Sequence, residues 1–183
     1  MNKHPFVSLL LLILSVFMLP AHSEGNKLND ALHMLAGKWK GKVEARDEAD
    51  KKNRVLRPTS LTVSPSILEN FWSFNFVFLD AVNGAEMFEL ISPEEDKFLF
   101  HLTRVQGLSV KKVTRDVIAL SVEPEKKVLR MRLIEASLFD DKPAMIRYQI
   151  NRDQNALTIY KEVKPYGNKA FQIEEKFFFE KSS

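Results

Sequence analysis

The sequence predicts an all-β fold, an antiparallel up-and-down β-barrel of about ten strands with a short N-terminal helix. Apolar and polar residues alternate with a period of two through most of the chain after residue 37, as expected for half-buried strands. Turn residues recur about every ten positions, without the spacing of β-α-β units. Strict up-and-down order favours closure, because an open meander would leave two long apolar edges.

The predicted helix covers residues 26–36, where Leu28, Leu32 and Leu35 share one face and Gly37 provides the stop signal. The first predicted strand, 38–46, places Trp39 and small or apolar residues on one side and lysines on the other. The predicted helix is therefore followed by a strand with one buried face and one solvent-exposed face.

The period-two pattern continues to the C-terminus, with a predicted turn at 114–116. The further predicted strands are 55–63, 67–80, 85–91, 97–105, 108–113, 117–122, 128–136, 144–150, 156–163 and 170–180. The residues predicted to face outward are mostly charged: Lys40, Glu44, Arg130, Arg132, Glu174 and Lys176. A charged exterior argues against an outer-membrane barrel, whose exterior is apolar.

Residues 1–23 have the pattern of a cleavable signal peptide. Lys3 precedes an apolar run from Phe6 to Leu19, and Ala21 and Ser23 occupy the cleavage-site positions. The alternative is a membrane anchor, but this run would span only about 21 Å as a helix, short of the ~30 Å hydrocarbon core. The prediction is export to the periplasm or the outside, with residues 24–183 as one domain.

Composition limits the function classes. The absence of cysteine excludes a lipoprotein anchor and thiolate metal ligands. The formal net charge is +3, and removal of Lys3 with residues 1–23 would leave 26 basic and 24 acidic residues, a net +2. Because the basic residues are interleaved with acidic ones, no one-signed patch for nucleic acid is predicted.

The junction of helix and first strand, Leu-Ala-Gly-Lys-Trp-Lys-Gly, carries a family resemblance. With Gly37, Trp39 and Gly41, it is similar to the start of the calycin superfamily of lipocalins, fatty-acid-binding proteins and nitrobindin-like barrels. The resemblance implies that Trp39 closes one end of the barrel. In overall pattern the chain is closest to small exported bacterial barrels of unknown function.

A barrel of this width either fills its lumen with side chains or keeps space for one ligand. Both alternatives fit the many aromatic residues. Arg104 and Glu175 interrupt apolar faces, so inside the barrel each would need the other or a ligand. Alternatively, Arg104 lies at a strand end and reaches water. The predicted ligand-binding residues are Trp72, Phe74, Phe76, Arg104, Tyr148 and Glu175. The fatty-acid-binding resemblance implies that Arg104 beside Tyr148 holds a carboxylate headgroup.

No metal or cofactor is predicted. His33 and His101 lie on separate elements, and no histidine follows His101, whereas nitrobindin-type haem proteins take their histidine from the C-terminal part of the barrel. Catalytic motifs such as G-x-S-x-G and H-E-x-x-H are absent from the sequence. Glu174 and Glu175 are predicted to point to opposite faces, which would prevent an acid–base pair.

The functional prediction is an exported barrel that binds a small apolar or amphipathic, lipid-like ligand. The predicted partners exclude nucleic acid and stable membrane insertion after cleavage. The alternative is a packed barrel that acts as a scaffold for a protein or envelope component. In that case the loops at 47–54 and 137–143 would carry the function.

Overall fold

The computed structural model describes residues 27–47, 53–68, 70–79 and 85–182. Its elements are helix α1 (Lys27–Leu35) and strands β1 (Gly37–Arg46), β2 (Arg54–Pro65), β3 (Trp72–Phe78), β4 (Ala85–Glu94), β5 (Leu99–Gln106), β6 (Ser109–Glu123), β7 (Val128–Phe139), β8 (Lys142–Asp153), β9 (Ala156–Pro165) and β10 (Gln172–Lys181). The predicted signal peptide and most of the 47–54 loop lie outside the described residues.

Each strand pairs antiparallel with the next, and β1 also pairs with β10, so the sheet closes on itself. The closing ladder runs from Trp39 opposite Lys181 to Ala45 opposite Glu175. The predicted all-β, up-and-down barrel of about ten strands with a short N-terminal helix is confirmed, and the observed barrel has ten strands. Closure removes the free edges that an open sheet would leave.

The predicted turn at 114–116 is wrong. Residues 109–123 form one long strand, β6, with an irregularity between Val117 and Ala119. The run of Thr114, Arg115 and Asp116 has the composition of a turn, but Arg115 points into the barrel and is buried there. Two predicted segments are therefore halves of a single strand.

Helix α1 closes one end of the barrel, here called the closed end. Leu28, Leu32 and Leu35 are at most 1% exposed. The Glu95 carboxylate, from the β4–β5 turn, accepts hydrogen bonds from the Leu28 and Asn29 amides at 2.9 and 3.0 Å. A carboxylate suits the unpaired amides and positive dipole end of a helix N-terminus.

The C-terminal end of α1 is held equally firmly. The Trp39 indole nitrogen donates to the Leu35 carbonyl at 2.9 Å, and the Arg152 guanidinium donates to the Met34 carbonyl. Both partners satisfy carbonyls that the helix leaves unpaired. Within the described residues, no helix is long and apolar enough to cross a membrane.

Gly41 allows β1 and β10 to come close together. A Cβ atom placed on it would lie 1.8 Å from the carbonyl oxygen of Phe178. Gly37, in contrast, has φ +126°, a conformation that residues with side chains rarely adopt. Glycine is therefore favoured at these two positions for different reasons: at Gly41 by the close approach of β10, and at Gly37 by the positive φ.

Candidate functional site

A layer of polar side chains crosses the lumen at mid-height. Its members come from five consecutive strands, β4 to β8, and all point inward: Glu89, Arg104, Arg115, Glu135 and Tyr148. We call this set the polar layer. It separates the apolar lumen near the closed end from the opposite, open end of the barrel.

Glu89 is the centre of the polar layer. Its carboxylate accepts two hydrogen bonds from Arg104, at 2.8 and 2.6 Å, and two longer ones from Arg115, at 3.2 and 3.4 Å. Arg115 also donates to Glu135 at 2.8 Å and lies over the Tyr148 ring, 4.0 Å from its centroid. The layer thus contains two guanidinium groups and two carboxyl groups, a formal charge of zero.

The electrostatic effect of this pairing is clear at Glu89. Burial alone would raise the pKa of its carboxyl, but the adjacent Arg115 and Arg104 outweigh burial and hold the pKa below its usual value. Burial would lower the pKa of Arg115, and Glu89 above all reverses that effect, so the pKa of Arg115 is raised. Glu89 and Arg115 are therefore both charged at neutral pH.

One oxygen of the polar layer has no hydrogen-bond partner among the described residues. Glu135 is fully buried, and its Oε2 accepts the bond from Arg115, while Oε1 accepts none. An unpaired buried acceptor is costly, on the order of 1–3 kcal/mol. A donor group that reached Oε1 would therefore be bound favourably.

Between the polar layer and α1 lies a cavity of about 60 Å³. Its walls are almost entirely apolar and include Leu32, Phe74, Phe76 and Phe177, with Glu89, Arg115 and Tyr148 at its polar side. At about 30 Å³ per water molecule, this space corresponds to only about two waters. The lumen near the closed end is therefore mostly filled by side chains.

On the other side of the polar layer, the lumen widens into a pocket of about 370 Å³ at the open end, here called the mouth pocket. One wall is apolar, with Val43, Phe78 and Met87. The ionic residues that line the pocket are Arg46, Arg57, Arg104, Lys161, Glu174 and Glu175. Four cations and two carboxylates give the lining a formal charge of +2.

An irregularity in β10 brings two adjacent carboxylates into this pocket. The register with β9 shifts between Ile173 and Glu175, so both Glu174 and Glu175 line the mouth pocket. The prediction that they point to opposite faces is wrong, and so is the outward placement of Glu174, because a β-bulge interrupts the two-residue alternation.

Each of the two carboxylates has a basic partner. Glu174 pairs with Arg46 at 2.8 Å, and Glu175 accepts a hydrogen bond from Lys161 at 2.8 Å. Burial, its largest influence, raises the pKa of Glu174. Lys161 has a raised pKa, because Glu175 more than offsets the lowering effect of its burial.

The structure divides the predicted ligand-binding residues among three places. Trp72 lies at the closed end and donates to Asn29 of the helix at 2.9 Å, while Phe74 and Phe76 line the apolar cavity. Arg104 and Glu175 line the mouth pocket. Tyr148 lines both spaces and is 3.5 Å from Arg104 through its hydroxyl.

Arg104 and Glu175 do not pair with each other, which was one of the alternatives left open by the sequence: Arg104 bonds to Glu89 and Glu175 bonds to Lys161. Nor does Arg104 extend into water, because its side chain is only 19% exposed.

Sequence reasoning missed four residues that define the site: Glu89, Arg115, Glu135 and Lys161. A signal existed for two of them, because Glu89 is two positions from Ile91, and Glu135 two from Leu133, on apolar faces. Arg115 was missed because the predicted turn at 114–116 placed it outside any strand.

The two histidines considered as ligands lie apart. His33 packs edge-on against Trp72, with 4.7 Å between ring centroids, and His101 is on the outside, 2.7 Å from Glu94. Within the described part of the chain, no three His, Asp or Glu side chains are grouped as a metal site would require. The mouth pocket instead has cationic side chains beside an apolar wall.

Comparison with known proteins supports the barrel architecture. No protein-family model matches the chain, and no curated protein matches it. Among solved structures, it is similar to Rv2717c from M. tuberculosis, with a TM-score of 0.60 and 11% sequence identity. The match covers 84% of this chain and 96% of that one. At this identity the likeness defines a shared barrel fold, and the calycin relationship stays a prediction.

Proposed function

We propose that the protein binds a small amphipathic anion in the mouth pocket. The observation that carries this proposal is the lining of that pocket, in which Arg57, Arg104 and Lys161 face a space also bounded by Val43, Phe78 and Met87. An anionic headgroup would lie against the cations, and its apolar part against the opposite wall. A volume of about 370 Å³ lies within the range of small-molecule sites.

The size of the two spaces restricts the ligand. The cavity beyond the polar layer measures only about 60 Å³, and an acyl chain could reach it only by displacing the Glu89–Arg104 ion pair. Breaking a buried ion pair costs about 3–5 kcal/mol. These dimensions support a short or compact apolar group rather than a long chain threaded through the lumen.

Displacement of a fluorescent amphipathic anion, anilinonaphthalene sulfonate, tests the proposal. Decanoate should displace the probe, and decanol, which has the same chain without the charge, should do so far less well. Lys161→Met should weaken decanoate binding by about tenfold, since a hydrogen bond to a charged group contributes about 1.5–3 kcal/mol.

Lys42→Met is the matched control, because Lys42 is exposed on the outer face of β1 and its loss changes the net charge equally. Equal displacement by decanoate and decanol would contradict the proposal. So would an equal loss of decanoate affinity in both variants.

A second candidate function is the packed scaffold, in which the barrel only presents its loops to another molecule. The nearly filled lumen near the closed end favours it, since Phe74, Phe76, Phe100 and Phe177 are all at most 6% exposed. On this interpretation neither decanoate nor the fluorescent probe binds to the folded protein.

Export is a further part of the proposal and rests on residues 1–23 alone. Expression of the full chain, followed by N-terminal sequencing of the secreted or periplasmic fraction, tests it. The expected new N-terminus is Glu24. A protein that retains residues 1–23 would contradict export by cleavage.

A further inference from the structure

The hairpin turns at the open end carry exposed apolar side chains. Leu108 is fully exposed in the β5–β6 turn, Leu138 is 62% exposed beside the β7–β8 turn, and Tyr166 is 91% exposed after β9. These residues belong to three consecutive hairpins of the barrel. We call them the apolar tips.

The apolar tips border the mouth pocket. Gln106, which lines that pocket, is two residues before Leu108. Tyr166 lines a neighbouring surface pocket that shares Arg46 and Glu174 with the mouth pocket. The backbone amide of Tyr166 also donates to the Pro143 carbonyl at 2.8 Å, which ties its turn to the β7–β8 hairpin. The tips thus form one side of the rim.

The chain around the apolar tips is basic. The segments 105–113 and 163–173 each contain two lysines and no acidic residue, and 137–143 contains one lysine and two aspartates. Together the three hairpins carry five lysines and two aspartates, a formal charge of +3. Lys111, Lys112, Lys142 and Lys169 are exposed.

The turns of the closed end have the opposite charge. The segments 65–72, 93–99, 122–129 and 152–157 contain four basic and seven acidic residues, a formal charge of −3. Their exposed large apolar residues are Ile67 and Leu68 in the β2–β3 connection. Apolar and basic residues therefore occur together on these three hairpins of the open end.

We propose that the three hairpins dock the open end of the barrel on an anionic lipid surface. Leu108, Leu138 and Tyr166 would enter the headgroup region, where a tyrosine can bury its ring and keep its hydroxyl hydrated. The lysines beside them would approach anionic headgroups, each contributing on the order of a threefold to fivefold increase in binding. This docking is peripheral and leaves the barrel closed.

The proposal has a functional consequence for the mouth pocket. A barrel that docks in this orientation has its mouth pocket at the lipid surface, the phase in which amphipathic molecules partition. Membrane docking does not depend on ligand binding, however, because the tips lie outside the pocket lining.

Sedimentation with lipid vesicles tests the proposal. The protein should bind vesicles of mixed phosphatidylglycerol and phosphatidylcholine, bind pure phosphatidylcholine much less, and be released by added salt. The variant Leu108→Ser with Tyr166→Ser should bind the anionic vesicles at least about tenfold more weakly. Both side chains are exposed, so the fold should be retained.

The matched control is Ile67→Ser with Leu68→Ser, which removes exposed apolar residues from the closed end. It should bind vesicles as the unaltered protein does. No vesicle binding by the unaltered protein would overturn the proposal, as would equal losses in the two variants. Self-association without lipid that disappears in the tip variant would instead assign the tips to a second copy of the chain. Decanoate titration without vesicles tests the proposed ligand site separately.

Discussion

At the scale of single residues, the polar layer shows how charged groups can be accommodated inside an apolar barrel. Glu89 is 4% exposed and Arg115 is 5% exposed, and an isolated charge at such a depth would be strongly unfavourable. Each is stabilised because the other lies within hydrogen-bond distance. Removal of Glu89 would leave Arg104 without a carboxylate partner, and removal of Arg115 would leave Glu135 buried and unpaired.

Low pH should reduce the stabilisation that the polar layer contributes to the fold. The pKa of Glu89 is lower in the folded protein than in the unfolded chain, so its contribution to the free energy of unfolding is complete above about pH 5. The contribution is lost as the pH falls below about 4.5 and through the folded pKa. Urea unfolding from pH 6 to pH 3 should show a steep loss of stability.

The variant Glu89→Gln should be less stable than the unaltered protein by about 3 kcal/mol at pH 6 and should show a shallower decline in acid. Glu86→Gln, on the exposed face of the same strand, is the control and should follow the unaltered protein. Parallel curves for Glu89→Gln and the unaltered protein would show that Glu89 does not cause the acid sensitivity.

Residue-level features were only partly accessible from the sequence. The pattern Phe98-x-Phe100-x-Leu102-x-Arg104 predicted that Arg104 continues a buried face, and its side chain is mostly buried. Its partner could not be predicted, because that depends on which residue of β4 lies opposite. The register places Glu89 directly across from Arg104.

At the scale of elements, the close contact between β1 and β10 depends on the absence of a side chain at Gly41. The Phe178 carbonyl occupies the position that a Cβ would need. Because the neighbouring atoms belong to the backbone, a side-chain rotation cannot relieve the clash. The two strands that close the barrel would have to separate.

We therefore expect Gly41→Ala to lower the free energy of unfolding by about 3 kcal/mol, the upper range for overpacking a tight site. Gly107→Ala is an informative comparison. Gly107 has φ +56°, but a methyl group added there would meet no atom within 4 Å, so its cost is only the conformational one, about 1 kcal/mol. Chemical denaturation of both variants gives the two values. An equal loss of stability would contradict the steric explanation.

The elements themselves were largely predictable, and the exceptions have a physical cause. The alternation of apolar and polar residues predicts the buried face correctly where a strand is regular, as in β1 and β7. It failed at β10, where the bulge puts consecutive glutamates on one side, and at β6, where a buried arginine interrupts the apolar pattern. A sequence does not reveal an extra residue in a ladder until its partner strand is known.

At the scale of the whole molecule, the two ends of the barrel are different. One end is closed by α1, whose amides and carbonyls are held by Glu95, Trp39 and Arg152. The other end opens into the mouth pocket. This difference could be predicted only in part, since the sequence indicated a helix before the barrel but not the charge or width of the open end.

Closure should also be necessary for solubility. Deletion of residues 172–183 removes β10 and leaves β1 and β9 with unpaired edges beside the aromatic lumen. Such edges promote association between chains. The truncated protein should lose its cooperative thermal transition in circular dichroism and scatter light strongly.

Deletion of residues 182–183 alone is the control for this truncation, because β10 ends at Lys181. It should unfold cooperatively and stay monodisperse. A monodisperse protein with a cooperative transition after loss of 172–183 would show that the ten-stranded closure is dispensable.

The β1–β10 ladder also determines when the barrel can close during protein synthesis. Trp39 pairs with Lys181, about 140 positions later, and the Ser182 amide donates to the Lys38 carbonyl at 2.9 Å. During synthesis, the first strand leaves the ribosome long before its second neighbour exists, and contacts of such long range form slowly. The nascent chain therefore cannot complete its barrel until β10 has been made.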